Sequence, residues 1–293
     1  MQGLFHGCRI FLSGDSLFLI KEKILTTTAL NRSSDIQTLT ASAVHTGPHA
    51  LPANTAALLK LREELITRHP VNDLMRENPR ALLQFFELYG HFAYGFAPFV
   101  CTLFTALKGQ RAKAFIYDNL LDEMGCVGGQ ATAWDNQHGE LYRRFITTLR
   151  RTDVYRSYLS ESDTAALDAA SRRLSHQAYA TYYELIAEGN DAQSVGAFSG
   201  VEGWVAAEYP FWRDCLASLG SDMRFVDLRT IEIHCEADVE HARVLDELIS
   251  EYAAGEQTAD VHRGLLRGIE ISQTLFAGMQ VEMARSPALE MAG

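Results

Sequence analysis

A helix that is apolar nearly all the way round must be wrapped by other elements, and the stretch from Pro79 to Leu107, PRALLQFFELYGHFAYGFAPFVCTLFTAL, is such a helix. Its only acid is Glu87; His91 lies one turn on, and Tyr94 shares that face. From Asn54 onward, apolar residues recur at 3 and 4 spacing over 54–68, 71–78, 80–107, 111–125, 133–153, 161–189, 191–218, 224–254 and 257–285. The breaks hold stop or cap residues such as Gly109, Gly128-Gly129, Asp163, Gly189-Asn190 and Gly220-Ser221. No run alternates as a strand, and neither linker nor internal repeat stands out. The pattern therefore predicts an all-α chain, with a single-domain helical bundle over 54–286 and a tail at 287–293. Residues 1–53 read as a loosely ordered arm, because 26–53 are rich in Thr, Ser, Ala and Pro with no sustained period.

A chain of 293 residues with 47% hydrophobic content can bury roughly three quarters of its unfolded surface, enough for one large core. The net charge of -11 and the absence of any Lys or Arg cluster argue against a nucleic acid or an anionic membrane as partner. The expected partners are a small-molecule substrate and a second copy of the chain, as a homodimer. Cys8, Cys101, Cys126, Cys215 and Cys235 form no CxxC pair, which fits a reducing cytoplasm. The first twenty residues are interrupted by Arg9 and Asp15, and no window reaches about 18 uninterrupted apolar residues. A cytoplasmic protein without a membrane span is the expectation. Nucleophile-elbow, P-loop and dinucleotide motifs are absent.

The chemistry concentrates in DLRTIEIHCEADVEHARVLDELI, residues 227–249. His234, Asp238 and His241 stand at i, i+4 and i+7, within roughly 60° of one another on a helix. Ile231 and Leu245 share that stripe, so it is buried, and buried imidazoles and carboxylates need a partner such as a transition metal. Elsewhere, Glu123 closes the helix YDNLLDEMG, with Asp118 and Asp122 read as its solvated face. His138 opens a helix whose Leu141, Phe145 and Leu149 face the core. Glu202 and Glu208 point roughly 120° apart, so at most one of them faces a common centre, and Pro210 predicts a kink beside them. The plain reading of Glu87 and His91 is a pair satisfying itself in the core. His176 and His262 read as solvent facing.

In this order the residues resemble the haem-oxygenase-like diiron oxidases. That family carries a Glu on the first core helix, an N-L-x-x-E-x-G segment followed by a His, a lone Glu on a later helix, and H-x3-D-x2-H on another. Here those are Glu87, Asn119 to Gly125 with Glu123, His138, Glu202, and His234, Asp238 and His241, over about residues 80 to 250. Glu202 is preferred to Glu208 on its spacing to His234. The Glu123 to His138 gap is longer than the family's, and the CVGGQATAWDNQ insert accommodates it. The resemblance implies the haem oxygenase fold, those seven residues as ligands, two Fe(II) ions as cofactor and O2 as co-substrate. It implies oxidation of a small amine- or carboxylate-bearing metabolite by N-oxygenation, oxidative C-C cleavage or desaturation, within a biosynthetic pathway. Four carboxylates with three neutral imidazoles carry a formal charge that two ferrous ions cancel. Expected pocket walls are Phe86, Tyr94, Phe96, Trp204, Tyr209 and Phe211. A metal-free enzyme on the same scaffold, of the thiaminase-like or cofactorless quinone-forming type, would not need every acid and His of the pattern. A haem protein would need a proximal His such as His69 and would leave the interior acids unexplained. A non-enzymatic interaction protein is the third rival.

Overall fold

The computed structural model describes residues 52–126 and 134–285, and every regular element among them is helical. The arm expected over 1–53 lies almost wholly outside the described residues, as do the tail and residues 127–133 of the Gly-rich insert. In chain order the helices are α1 (Pro52–Thr67), α2 (Pro70–Glu77), α3 (Pro79–Ala106), α4 (Gln110–Glu123), α5 (His138–Leu149), α6 (Asp153–Tyr158), α7 (Glu161–Ala187), α8 (Asp191–Glu202), α9 (Val205–Ala217), α10 (Arg229–Ala253) and α11 (Thr258–Arg285). Two short 3-10 turns, Trp134–Asn136 and Ser221–Phe225, precede α5 and α10.

Helix α3 runs through the middle, as its composition requires. Asn78 caps it, its side chain accepting from the amides of Arg80 and Ala81, and Pro79 occupies the first turn, where its missing N–H costs nothing. Ala81 through Gly90 are all buried. Phe85, Phe86 and Tyr89 pack on Trp212 with ring centroids 5.1 to 6.1 Å apart. Helices α4, α5 and α7 pack against α3.

The tightest helix pair is α8 with α11. Gly196 and Gly200 on α8 meet Gly264 and Gly268 on α11, each pair four apart and so on one face. A Cβ on Gly264 would stand 2.0 Å from the Gln193 carbonyl oxygen, and one on Gly268 would stand 2.1 Å from that of Ala197. Only glycine permits this backbone approach.

Three expectations change. Residues 191–218 do not form one helix kinked at Pro210: the break falls at Gly203-Trp204, directly after Glu202, and Pro210 lies inside α9. The buried Arg62 guanidinium fills the space that a Gly203 side chain would take, and its Nη1 donates to Ser199 Oγ (2.7 Å) and Asp246 Oδ1 (2.8 Å). The helix expected over 133–153 is a 3-10 turn followed by α5, with α6 beginning at Asp153. His262 is buried, not solvent facing, with Nε2 2.8 Å from Thr55 Oγ1. Among the described residues no helix is long and apolar enough to cross a membrane.

Candidate metal centre

Helix α10 carries His234, Asp238 and His241 on the stripe that faces α4, α5 and α8. The side chains meet in two groups of three. Glu123, His138 and His234 each offer a ligand atom within 4.8 Å of the others, and so do Glu202, Asp238 and His241. All six are buried except His241, which is nearly so. Burial follows from the elements: α8 is enclosed from Ala192 to Glu202, and Glu123 and His138 flank α3 on the last turn of α4 and the first of α5.

In the first group, His138 Nδ1 lies 3.1 Å from Glu123 Oε1, and the His138 and His234 rings sit 4.6 Å apart. His234 Nδ1 lies 2.6 Å from the Thr230 carbonyl oxygen, which can only accept, so Nδ1 carries the proton and Nε2 keeps its lone pair. Tyr209 stacks on the His234 ring at 4.3 Å. Burial holds the His234 imidazole below its usual range despite the neighbouring Asp238, keeping it neutral as a ligand must be. Burial also works against both charges of the Glu123–His138 pair. Their attraction outweighs it, lowering the carboxyl and raising the imidazole.

In the second group, His241 Nδ1 lies 3.6 Å from Asp238 Oδ1 and 3.9 Å from Glu202 Oε1, and its Nε2 lies 2.7 Å from Asp122 Oδ2. Asn119 Nδ2 donates to Glu202 Oε1 at 3.1 Å. Burial and then the charges of Asp238 and Glu123 push the Glu202 carboxyl up to about 8. Burial opposes a charged His241, yet the Asp238, Glu202 and Asp122 carboxylates lift it to about 9. The unmetallated cluster therefore carries protons near neutrality, as crowded carboxylates do.

One predicted site residue, Glu87, stands elsewhere. Glu87 lies in neither group: Arg150 Nε and Nη2 donate to its two oxygens at 2.8 and 2.5 Å, and the Tyr155 hydroxyl adds a third bond at 2.7 Å. Nor does it pair with His91, which bonds Asp168 (3.0 Å). The alternative acid Glu208 accepts from Asn72 (2.8 Å) and Trp212 (3.0 Å), away from the cluster. Asp122, expected on the solvated face, stays 40% exposed but bonds His241; Asp118 is exposed. The offset of Asp122 from Glu123 carried no signal of this, since only the fold brings α10 alongside.

Beside the two groups lies a chamber of about 30 Å³, walled chiefly by Tyr89, Phe92, Phe96, Tyr142, Val201 and Tyr209. Of the expected walls, Phe96 and Tyr209 line it; Phe86 and Trp204 are core, packed on Phe145 and Phe276. Among the described residues no Lys or Arg lines it.

The donor set fits iron. Two imidazoles with one carboxylate are the donor types that non-haem Fe(II) uses, and the second group adds two carboxylates and an imidazole. Asp238 Oδ2 is buried with no hydrogen-bond partner, an orphan that a cation would satisfy.

Two solved structures are similar to this chain, both crystal structures of a CADD-like protein of unknown function from Nostoc punctiforme. One is 17% identical, covering 78% of this chain and 98% of that one, with a TM-score of 0.56. The other is 16% identical, covering 81% and 99%, with a TM-score of 0.53. No curated protein matches. At such identities the likeness concerns the all-helical fold alone. The sequence itself matches a family of iron-containing redox enzymes over residues 83–273, a span that takes in both ligand groups, and the chain belongs to that family.

Proposed function

We propose that this protein is an O2-dependent nonhaem diiron oxidase in which Glu123, His138 and His234 hold one iron and Glu202, Asp238 and His241 hold the other. Two groups of three donors, with Asp238 Oδ2 buried and unsatisfied and a chamber lined by Glu123, His138, Glu202 and His234 together with aromatic side chains, carry this reading. Three protein donors per ion leave positions open, which separates a catalytic from a structural site. Bound iron would supply the electrons that reduce O2 and the oxidising power for a substrate C–H or N–H bond.

The protein's own residues do the rest. Thr230 fixes the tautomer of His234, and Tyr209 covers its ring against water. Glu202 and His241, protonated in the unmetallated cluster, give up protons as metal enters. The chamber has room for about one water-sized molecule such as dioxygen, so an organic substrate must displace side chains to enter. A wall that, among the described residues, holds no Lys or Arg disfavours a charge distant from the metals. The amine or carboxylate of the expected metabolite therefore faces the irons, with an apolar body against Phe92, Phe96 and Val201. N-oxygenation, oxidative C-C cleavage and desaturation all suit that pose.

Loading with Fe(II) under anaerobic conditions and then admitting O2 tests the reading. The parent should consume O2 with a transient visible absorption, and His234→Ala and Glu123→Ala should lose iron and the transient together. Variants that bind as much iron as the parent would refute it.

A further inference from the structure

Three residues on one face of α4, Asn119, Asp122 and Glu123, reach the two ligand groups, yet only Glu123 belongs to one. Asp122 faces the far side of a ligand. His241 has two ring nitrogens, and the one turned from the cluster, Nε2, bonds Asp122 Oδ2 at 2.7 Å. The nitrogen turned inward, Nδ1, faces Asp238, Glu202 and, at 3.4 Å, the Asn119 amide nitrogen. An imidazole that donates Nε2–H to a carboxylate offers Nδ1 as its donor atom. His234, seven residues earlier on the same helix, does the reverse: Nδ1–H goes to the Thr230 carbonyl and Nε2 is free. The two imidazoles of α10 thus turn opposite nitrogens to the cluster, Nε2 of His234 and Nδ1 of His241, held by different partners. That of His234 is a neutral carbonyl of its own helix; that of His241 is an anionic side chain from another helix, 40% exposed.

We propose that Asp122 is the positioning residue of the second site. It is not a ligand: it locks His241 so that Nδ1 points at Glu202 and Asp238. Metal binding at Glu202, Asp238 and His241 depends on Asp122, while binding at Glu123, His138 and His234 does not. The inference rests on the diiron reading above.

The test is an anaerobic Fe(II) titration of the parent, Asp122→Ala, Asp122→Asn and the exposed neighbour variant Asp118→Asn. The parent and Asp118→Asn should take up two equivalents. Asp122→Ala should keep the first and bind the second about 10- to 100-fold more weakly. Asp122→Asn retains an acceptor oxygen without the charge and should fall between them. In the Co(II)-loaded protein, the exchangeable, paramagnetically shifted proton on His241 Nε2 should exchange slowly in the parent and fast in Asp122→Ala, a signature a purely structural role would not give. If both Asp122 variants titrate as the parent does, or lose both equivalents alike, the positioning role is overturned. A parent that binds no iron would instead overturn the diiron reading itself.

Discussion

Glu208 is buried with a donor on each oxygen, Asn72 and Trp212, and pairs with no cation among the described residues. Burial pushes its carboxyl up from 4.5 to about 7. A folded-state value above the unfolded one means a contribution to stability that is whole below about pH 4.5 and is lost as pH rises through about 7. The shift corresponds to about 3 kcal/mol. Thermal melts of the parent and Glu208→Gln between pH 5 and 8 should therefore converge at the acid end, with the parent falling relative to the variant toward pH 8. Parallel curves would contradict the assignment. Within the cluster, Glu202 at about 8 and His241 at about 9 hold protons at pH 7, and iron binds only the deprotonated ligands. Fe(II) uptake should release protons and weaken as pH drops, measurable by calorimetry in buffers of differing ionisation enthalpy. At this scale the sequence was a good guide where a motif fixes spacing on one helix, as for His234, Asp238 and His241. It could not show that Arg150, 63 residues away, pairs with Glu87, nor that Asp122 bonds His241, because both depend on which helices lie side by side.

Helix α8 delivers Glu202, and its position is set by glycines rather than by the acid's own contacts. With a Cβ on Gly264 only 2.0 Å from the Gln193 carbonyl, Gly264→Ala must push α8 and α11 apart. Such overpacking costs about 3 kcal/mol, or roughly 6 to 12 °C in melting temperature for a chain of this size. The second iron equivalent should weaken with it as Glu202 shifts. Gly255→Ala, whose new Cβ meets nothing closer than 3.8 Å, should be close to neutral and is the control. Existence and type of the helices were legible from apolar spacing, and α3 from its composition. The boundaries were less so. Pro210 was a local break signal in 191–218, yet it lies inside α9. The actual break at Gly203-Trp204 depends on Arg62 from α1, 141 residues away in the chain and invisible to a local reading.

Across the whole molecule, three buried carboxylates around two ion positions strain the unmetallated fold and favour the metallated one. At a hundredfold excess over its dissociation constant, each bound ion should add about 2.7 kcal/mol. Fe(II) should therefore raise the melting temperature, and a chelator should reverse the gain. The central claim is that six particular side chains hold two irons per chain, and a count of iron under anaerobic saturation tests it most directly. The account predicts two irons for the parent, for Glu87→Gln and for Glu208→Gln, and one for Glu202→Ala. A parent that saturates at one iron or none, or a Glu202→Ala variant that still holds two, would contradict it.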